Sequence, residues 1–427
     1  MDHFELRDGV LHCEEVPLAD IAAAVGTPVY VYSTGTIERH ARVFREAVAA
    51  TGDPLIAYAV KANPNAAVLA TLARAGFGAD VVSGGELQRA RAAGVAADKI
   101  VFSGVGKTEE EMALACMAGI YQFNLESEPE AEALSEVAVR LGRRAPVAFR
   151  INPDVDAGTH AKISTGKSEN KFGIPEARAL AAYRRASALP GLEVQGIAVH
   201  IGSQLMRLEP LERAFAKIGA LIGELRAAGC DIRVADLGGG LGVPYDPAQE
   251  PPPSPAEYGA MVARVARDWD VRLVFEPGRV IVGNAGALVT RVVRVKEGAG
   301  DPFVIVDAGM NDLMRPSLYD AWHNIRAVAP RGNKVSANVV GPVCETGDTF
   351  ATGRSMDDVL PGDLVAFMTA GAYAATMAST YNSRPLTPEV MVSGNRWAVV
   401  RDRQTVEALI RADRMPPWLS EAQQETE

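Results

Sequence analysis

Ala57-Tyr58-Ala59-Val60-Lys61-Ala62-Asn63-Pro64 closes an apolar run that opens at Pro54 and delivers one lysine at its end. The run reads as a buried strand, and Asn63-Pro64 stops it. A lysine there has two fates. It can leave the core and carry its ammonium to water on a long stem. It can also stay, in which case burial disfavours the charged form and lowers its pKa. The neutral amine is then a nucleophile able to form a Schiff base with an aldehyde.

Working outward, the same unit repeats. Apolar runs at 55–60, 79–82, 100–102, 120–124, 147–151, 194–201, 233–237 and 272–275 alternate with helical patterns at 36–50, 66–75, 85–93, 108–118, 128–141, 175–188, 209–228 and 255–268. Near-continuous apolar strands separated by helices indicate a parallel sheet covered on both faces. Eight units predict an α/β fold, a (β/α)8 TIM-type barrel over 34–280, in preference to an open doubly wound sheet. After Gly283 the helices thin out. Runs at 287–295, 302–307, 334–340, 363–368 and 390–401 read as strands joined by turns. They predict a second, mostly antiparallel β domain over 281–427, with 1–33 as its discontinuous N-terminal part. The tail beyond Arg414 reads as a short helix or a frayed end.

Composition narrows the function. The 427 residues are 48% hydrophobic and 22% charged, with a net charge of −10 and acids and bases mixed along the chain. No basic patch for nucleic acid is expected, nor a run long enough to span a membrane. The acidic start Met1-Asp2-His3-Phe4-Glu5 has no signal-peptide core. Cys13, Cys116, Cys230 and Cys344 form no CxxC pair, and the six histidines include no HExxH. The expectation is a cytoplasmic protein without a metal.

Barrel active sites form at the C-terminal ends of the strands. Here those ends carry Lys61, Asp80-Val81-Val82-Ser83-Gly84-Gly85, Arg150-Ile151-Asn152-Pro153, His200-Ile201-Gly202-Ser203-Gln204, Gly238-Gly239-Gly240-Leu241-Gly242 and Glu276-Pro277-Gly278-Arg279. The glycine run could be a plain turn. After strand seven, with Gly278 after strand eight, it is better read as bare backbone N–H groups that cradle a phosphate. His200 is either a core histidine or a flat ring stacked on an aromatic cofactor. Glu276 either pairs with Arg279 or faces a protonated ring nitrogen. Nucleophilic lysine, phosphate cradle, stacking ring and carboxylate together describe pyridoxal 5′-phosphate.

At these residues the chain resembles the alanine-racemase-like barrel of pyridoxal-phosphate enzymes (fold type III), and within it the diaminopimelate decarboxylases. Tyr58-Ala59-Val60-Lys61-Ala62-Asn63 is similar to the family's cofactor-lysine motif, and His200 to Gln204 to its stacking-histidine motif. More specific are Ile163-Ser164-Thr165-Gly166, Glu169-Asn170-Lys171-Phe172-Gly173-Ile174, Asp307-Ala308-Gly309-Met310-Asn311-Asp312-Leu313, Arg315-Pro316-Ser317-Leu318-Tyr319 and Gly341-Pro342-Val343-Cys344-Glu345-Thr346-Gly347-Asp348. The resemblance implies that Lys61, His200, Ser203, Gly238, Gly239, Gly240, Glu276, Gly278, Arg279 and Tyr373 hold the cofactor. It implies that Arg279, Arg315, Tyr319, Glu345 and Tyr373 hold the substrate. It also implies a homodimer in which Cys344 and Glu345 enter the neighbouring chain's site, with Cys344 as proton donor and Lys61 competing for that role.

The substrate expectation is meso-2,6-diaminopimelate, giving L-lysine and carbon dioxide. Arg279 and Arg315 can each take a carboxylate through a planar fork, and Glu345 can accept from an ammonium. Ornithine, arginine, a D-amino acid or a carrier-bound glutamyl group remain as alternative substrates. A racemase or a non-catalytic cofactor carrier fits the residues less well. Arg315 could still be an interface ion pair, and Cys344 a plain buried thiol. The 160–170 loop, rich in Gly, Ser and Lys, is expected to be mobile.

Overall fold

The computed structural model of the chain describes residues 2–156, 165 and 171–420. The 160–170 loop apart from Thr165, with the quoted residues that fall in it, lies outside the described residues, as does the chain beyond Ser420.

Eight parallel strands close into a barrel: β1 (Leu55–Ala59), β2 (Gly78–Val81), β3 (Ile100–Phe102), β4 (Gln122–Leu125), β5 (Ala145–Asn152), β6 (Leu192–Val199), β7 (Val234–Asp236) and β8 (Arg272–Phe275). Closure runs through Val274 of β8 beside Leu55 of β1 and through β5 paired with β4 and β6. Helices lie between successive strands and cover the outside. They start where the sequence supplies caps: Ser127 accepts from the Glu130 N–H, and Thr108 and Ser254 form capping boxes. Each such cap contributes about 1 kcal/mol.

The lumen has two storeys, set by the two-residue period of a strand. Leu55, Ala57, Val101, Val234 and Val274 form a small buried apolar cluster. Two residues further along three of those strands stand Ser103, Asp236 and Glu276, all lining a cavity at the barrel mouth. The apolar storey plugs the barrel, its Leu and Val side chains each worth about 1.5–3 kcal/mol against exposure. The polar storey faces the ligand end.

The second unit is a nine-stranded sheet that includes Val29–Ser33 from the N-terminus. That strand pairs antiparallel with Gly286–Lys296 and parallel with Glu389–Ser393. Most other pairs are antiparallel, although Phe303–Val306 runs parallel to Lys334–Val340. Three details differ from the sequence reading. The run at 390–401 is a hairpin, Glu389–Ser393 and Arg396–Arg401, broken at Gly394. Thr349–Asp357 and Ile325–Ala327 are strands the pattern did not reveal. The first carries Gly353 and an irregular register, and the second has only three residues. Val406–Ala412 is a helix. Among the described residues no helix is long and apolar enough to cross a membrane.

Candidate active site

β1 stops at Ala59, and Lys61 lies in the one-turn helix Val60–Ala62 that follows. Asn63 pins this turn to the second unit. Its Nδ2 donates to the Gly371 carbonyl at 3.1 Å, while the Tyr373 N–H donates to the Ala62 carbonyl at 2.8 Å. Lys61 therefore projects into the barrel mouth between the two units. It keeps 38% of its side-chain surface open to the cavity and pairs closely with Asp80 at the end of β2. The pairing corrects one expectation. Burial works against the ammonium, but Asp80, then Tyr373 and Glu276, outweigh it, and the pKa rises above the usual lysine value. The amine is held charged until a group that displaces Asp80 arrives.

Opposite lies an acidic cluster. Glu276 Oε1 accepts from Ser103 Oγ at 3.2 Å and from Asn124 Nδ2 at 3.4 Å. Asp236, for which the sequence reading assigned no role, accepts from Asn124 Nδ2 and from the Gly238 N–H at 2.8 and 2.9 Å. Burial, then Asp236 and Asp80, push the Glu276 carboxyl well above the usual range. Asp236 is raised to about 6, chiefly by burial. Among the described residues, Asp80 Oδ1 is buried without a partner. Three carboxyl groups thus crowd one spot, a concentration of negative charge that a further cation would relieve. Glu276 makes no salt bridge with Arg279; the arginine reaches Ser203 and Tyr245 instead.

His200 follows β6. Its Nδ1 accepts from the Gly239 N–H at 3.3 Å, which leaves the ring hydrogen on Nε2. Burial, then Arg150 and Lys61, hold its pKa well below the usual value, so it is a neutral flat ring. Gly238-Gly239-Gly240 passes beneath it. A Cβ on Gly239 would lie 2.3 Å from the Glu276 carbonyl, and one on Gly240 2.5 Å from the Gly202 carbonyl. Only bare backbone fits, as a phosphate cradle requires.

Two adjoining cavities open here. The inner one, about 430 Å³, is lined by Lys61, Asp236, Glu276, His200, the three glycines and Gly278. The outer one, about 540 Å³, adds Arg315, Tyr319, Trp322 and Tyr245. Lys61, Thr165, His200, Ser203, Arg279 and Tyr373 line both. Arg279 Nη2 donates to Ser203 Oγ at 3.0 Å. Arg279 and Arg315 stack on Tyr373 and Tyr245 at 4.7 and 4.5 Å. Among the described residues neither arginine forms an ion pair with a carboxylate, and the Nε of each is buried without an acceptor. Arg315 is lowered by burial and by Arg279 beside it. Cys344 and Glu345 line neither cavity. They sit on an exposed turn, with Cys344 Sγ 3.4 Å from Asn382 Nδ2 and Glu345 raising the pKa of Tyr381. The thiol is exposed, contrary to the buried-thiol alternative.

Asp80, Asp236, Ser103 and Asn124 were findable. Each is a polar residue near the end of an apolar strand or just past it, on the lumen-facing period. Tyr245 lies in the loop after β7, where no period reaches.

Residues 34–283 match the family model "Pyridoxal-dependent decarboxylase, pyridoxal binding domain". The diaminopimelate decarboxylase of Zymomonas mobilis is 55% identical over 418 residues, covering 97% of this chain and 99% of that protein. The Vibrio cholerae protein of that name is 52% identical, covering 96% and 98%. Among solved structures, diaminopimelate decarboxylase from M. jannaschii in co-complex with L-lysine superposes with a TM-score of 0.94 at 37% identity, covering 98% of this chain and 99% of the other. The Helicobacter pylori enzyme complexed with L-lysine gives 0.89 at 41%, covering 92% and 98%.

Proposed function

The chain belongs to the diaminopimelate decarboxylase family of pyridoxal-dependent decarboxylases, and on that premise we propose that it converts meso-2,6-diaminopimelate to L-lysine and carbon dioxide. One observation carries the substrate. Arg279 and Arg315, both buried and, among the described residues, without a carboxylate partner, share a cavity with Lys61. Leaving buried guanidinium groups unpaired against ornithine or lysine-like amines would cost several kcal/mol. A carboxylate at the far end of the substrate relieves that cost.

The residues fit pyridoxal phosphate. Lys61 offers the anchoring amine, His200 a flat neutral face, and Gly238, Gly239, Gly240, Gly278 and Ser203 the phosphate end. Glu276 would face the ring nitrogen. When bound, the cofactor supplies an electron-withdrawing ring that accepts the electron pair released as carbon dioxide leaves. The chain's own part is electrostatic. Glu276, made anionic by a positive partner, would hold a proton on that nitrogen. Asp80 pairs with the Lys61 ammonium, which makes Lys61 the competitor of Cys344 for returning a proton after the bond breaks. Tyr373, at the junction of both cavities, closes the wall between cofactor and substrate.

The reading includes a homodimer. Cys344 and Glu345 lie on an exposed turn outside their own chain's cavities, which supports their serving a neighbour's site, Cys344 as proton donor and Glu345 as ammonium acceptor. Mixing Lys61→Ala and Cys344→Ala proteins should then recover activity that neither parent has. We take 34–280 as the cofactor barrel and 1–33 plus 281–427 as the β domain. An exposed thiol among four free cysteines supports a reducing, cytoplasmic setting. The deciding experiment is carbon dioxide release from meso-diaminopimelate beside ornithine, arginine and lysine. Release from any of the three that matches or exceeds release from meso-diaminopimelate overturns the assignment.

A further inference from the structure

Among the described residues, Tyr245 is the one side chain to which both active-site arginines donate a hydrogen bond. Its Oη accepts from Arg279 Nη1 and from Arg315 Nη1, each at 2.5 Å. Its ring lies under both guanidinium groups, 5.7 and 4.5 Å from them. The ring edge packs on His323 at 5.3 Å. His323 is buried, held by the Met368 carbonyl at 2.9 Å and kept neutral with a pKa near 3, chiefly by burial and then by Arg315. The phenol is thus wedged in place from behind.

The two arginine hydrogens occupy both acceptor positions of a hydroxyl. The phenolic hydrogen has to point elsewhere, and none of the hydrogen bonds among the described residues uses it. Tyr245 lines the outer cavity. Arg279 and Arg315 are only 7% and 6% exposed, and each presents a buried Nε with no acceptor.

We propose that Tyr245 is a specificity-determining residue of the distal site: it draws the two like-charged guanidinium groups onto one point and donates its own O–H to the carboxylate that enters between them. The inference rests on the functional reading above and deepens it. It adds a neutral third donor to a pair of cations that would otherwise repel each other apart. It also gives the loop after β7 a direct part in substrate choice, next to its part in the phosphate cradle.

L-Lysine keeps the distal amino-acid group, and 1,5-diaminopentane is the same chain without its carboxylate, so the pair isolates this contact. The test is calorimetric titration of both into wild-type and Tyr245→Phe holoenzyme, with steady-state kinetics on meso-diaminopimelate. Tyr245→Phe keeps the ring, its cation contacts and the His323 packing. Loss of a charge-assisted hydrogen bond should weaken lysine about tenfold and raise KM for meso-diaminopimelate similarly, with kcat changing far less and diaminopentane binding unaltered. Unchanged lysine affinity and KM overturn the proposal, as does an equal loss for diaminopentane. A wild-type protein that does not prefer lysine to diaminopentane overturns the functional reading and this inference together. Cofactor absorbance and the melting temperature, read on the same samples, separate loss of the contact from loss of the site.

Discussion

At the inner end of the cavity Asp80, Asp236 and Glu276 crowd together with Lys61 opposing them, whereas at the outer end Arg279 and Arg315 converge on an uncharged phenol. The two ends hold opposite unbalanced charge. Each is costly when buried, and each asks for a different complement. The acids ask for a cation, which a protonated ring nitrogen provides. The arginines ask for an anion, which a distal carboxylate provides. Specificity and catalysis are therefore built from the same physics with the sign reversed. The ends also differ in origin. The acids stand at the ends of β2, β7 and β8 of one barrel, and the arginines on a strand-end turn and a five-residue helix of the second unit, Arg315–Tyr319.

The largest effect should come from neutralising the inner end. Glu276→Gln keeps the acceptor for Ser103 and Asn124 but cannot hold a proton on a ring nitrogen. Turnover should fall by about 10²-fold or more. In the cofactor-free protein the same substitution should stabilise. A carboxyl whose folded pKa is raised loses stability as pH climbs past its unfolded value, because the folded state resists giving up the proton. For Asp236, raised from 3.8 to about 6, that cost grows between pH 4 and 6; for Glu276 the direction is the same. Glu276→Gln should thus melt with wild type near pH 4 and above it at pH 8, the gap widening as pH rises. A difference that does not grow with pH would show that the acids are not strained against one another.

Next comes the outer end. Arg315→Lys keeps the charge but loses the planar fork and most of the stacking on Tyr245. kcat/KM for meso-diaminopimelate should drop about 10²-fold, almost all of it in KM. Cofactor absorbance should not change. A fall confined to kcat would mean that Arg315 serves the chemistry and not the distal carboxylate, and the contrast between the two ends would fail.

The barrel end was the more legible in the sequence, for a physical reason. A strand presents alternate residues to the lumen, so the step from Val101 to Ser103, Val234 to Asp236 and Val274 to Glu276 is visible as the polar residue that ends an apolar run. Lys61, His200 and Glu276 could be placed on one rim that way, and the glycine run after β7 fell into place with them. Periodicity could not foresee that Asp80 holds Lys61 charged, because a pairing across strands depends on register. Nor could it foresee Tyr245, which sits in a loop, or the strand Thr349–Asp357, whose pairing with Lys334–Val340 is irregular. Arg315 and Tyr319 came from resemblance to a family, since a five-residue helix has no pattern of its own to read.

Ser203 is where the two ends touch, and it should give the smallest effect. Its hydroxyl accepts from Arg279 Nη2 at 3.0 Å, and it lines both cavities. If the ends act separately, Ser203→Ala removes one hydrogen bond to a charged group and nothing more. The expected loss is then about fivefold in one constant, either cofactor affinity or KM for meso-diaminopimelate. If Ser203 instead couples the ends through Arg279, both constants shift together. Tyr245→Phe would then no longer add its full tenfold on top, because the arginine would already be displaced. A double-variant cycle of Ser203→Ala with Tyr245→Phe measures this directly. Additive losses keep the inner and outer ends as independent halves of the site. A coupling of several-fold makes Arg279 a single element shared by phosphate and carboxylate, and the arginine, not the cavity boundary, becomes the division between them.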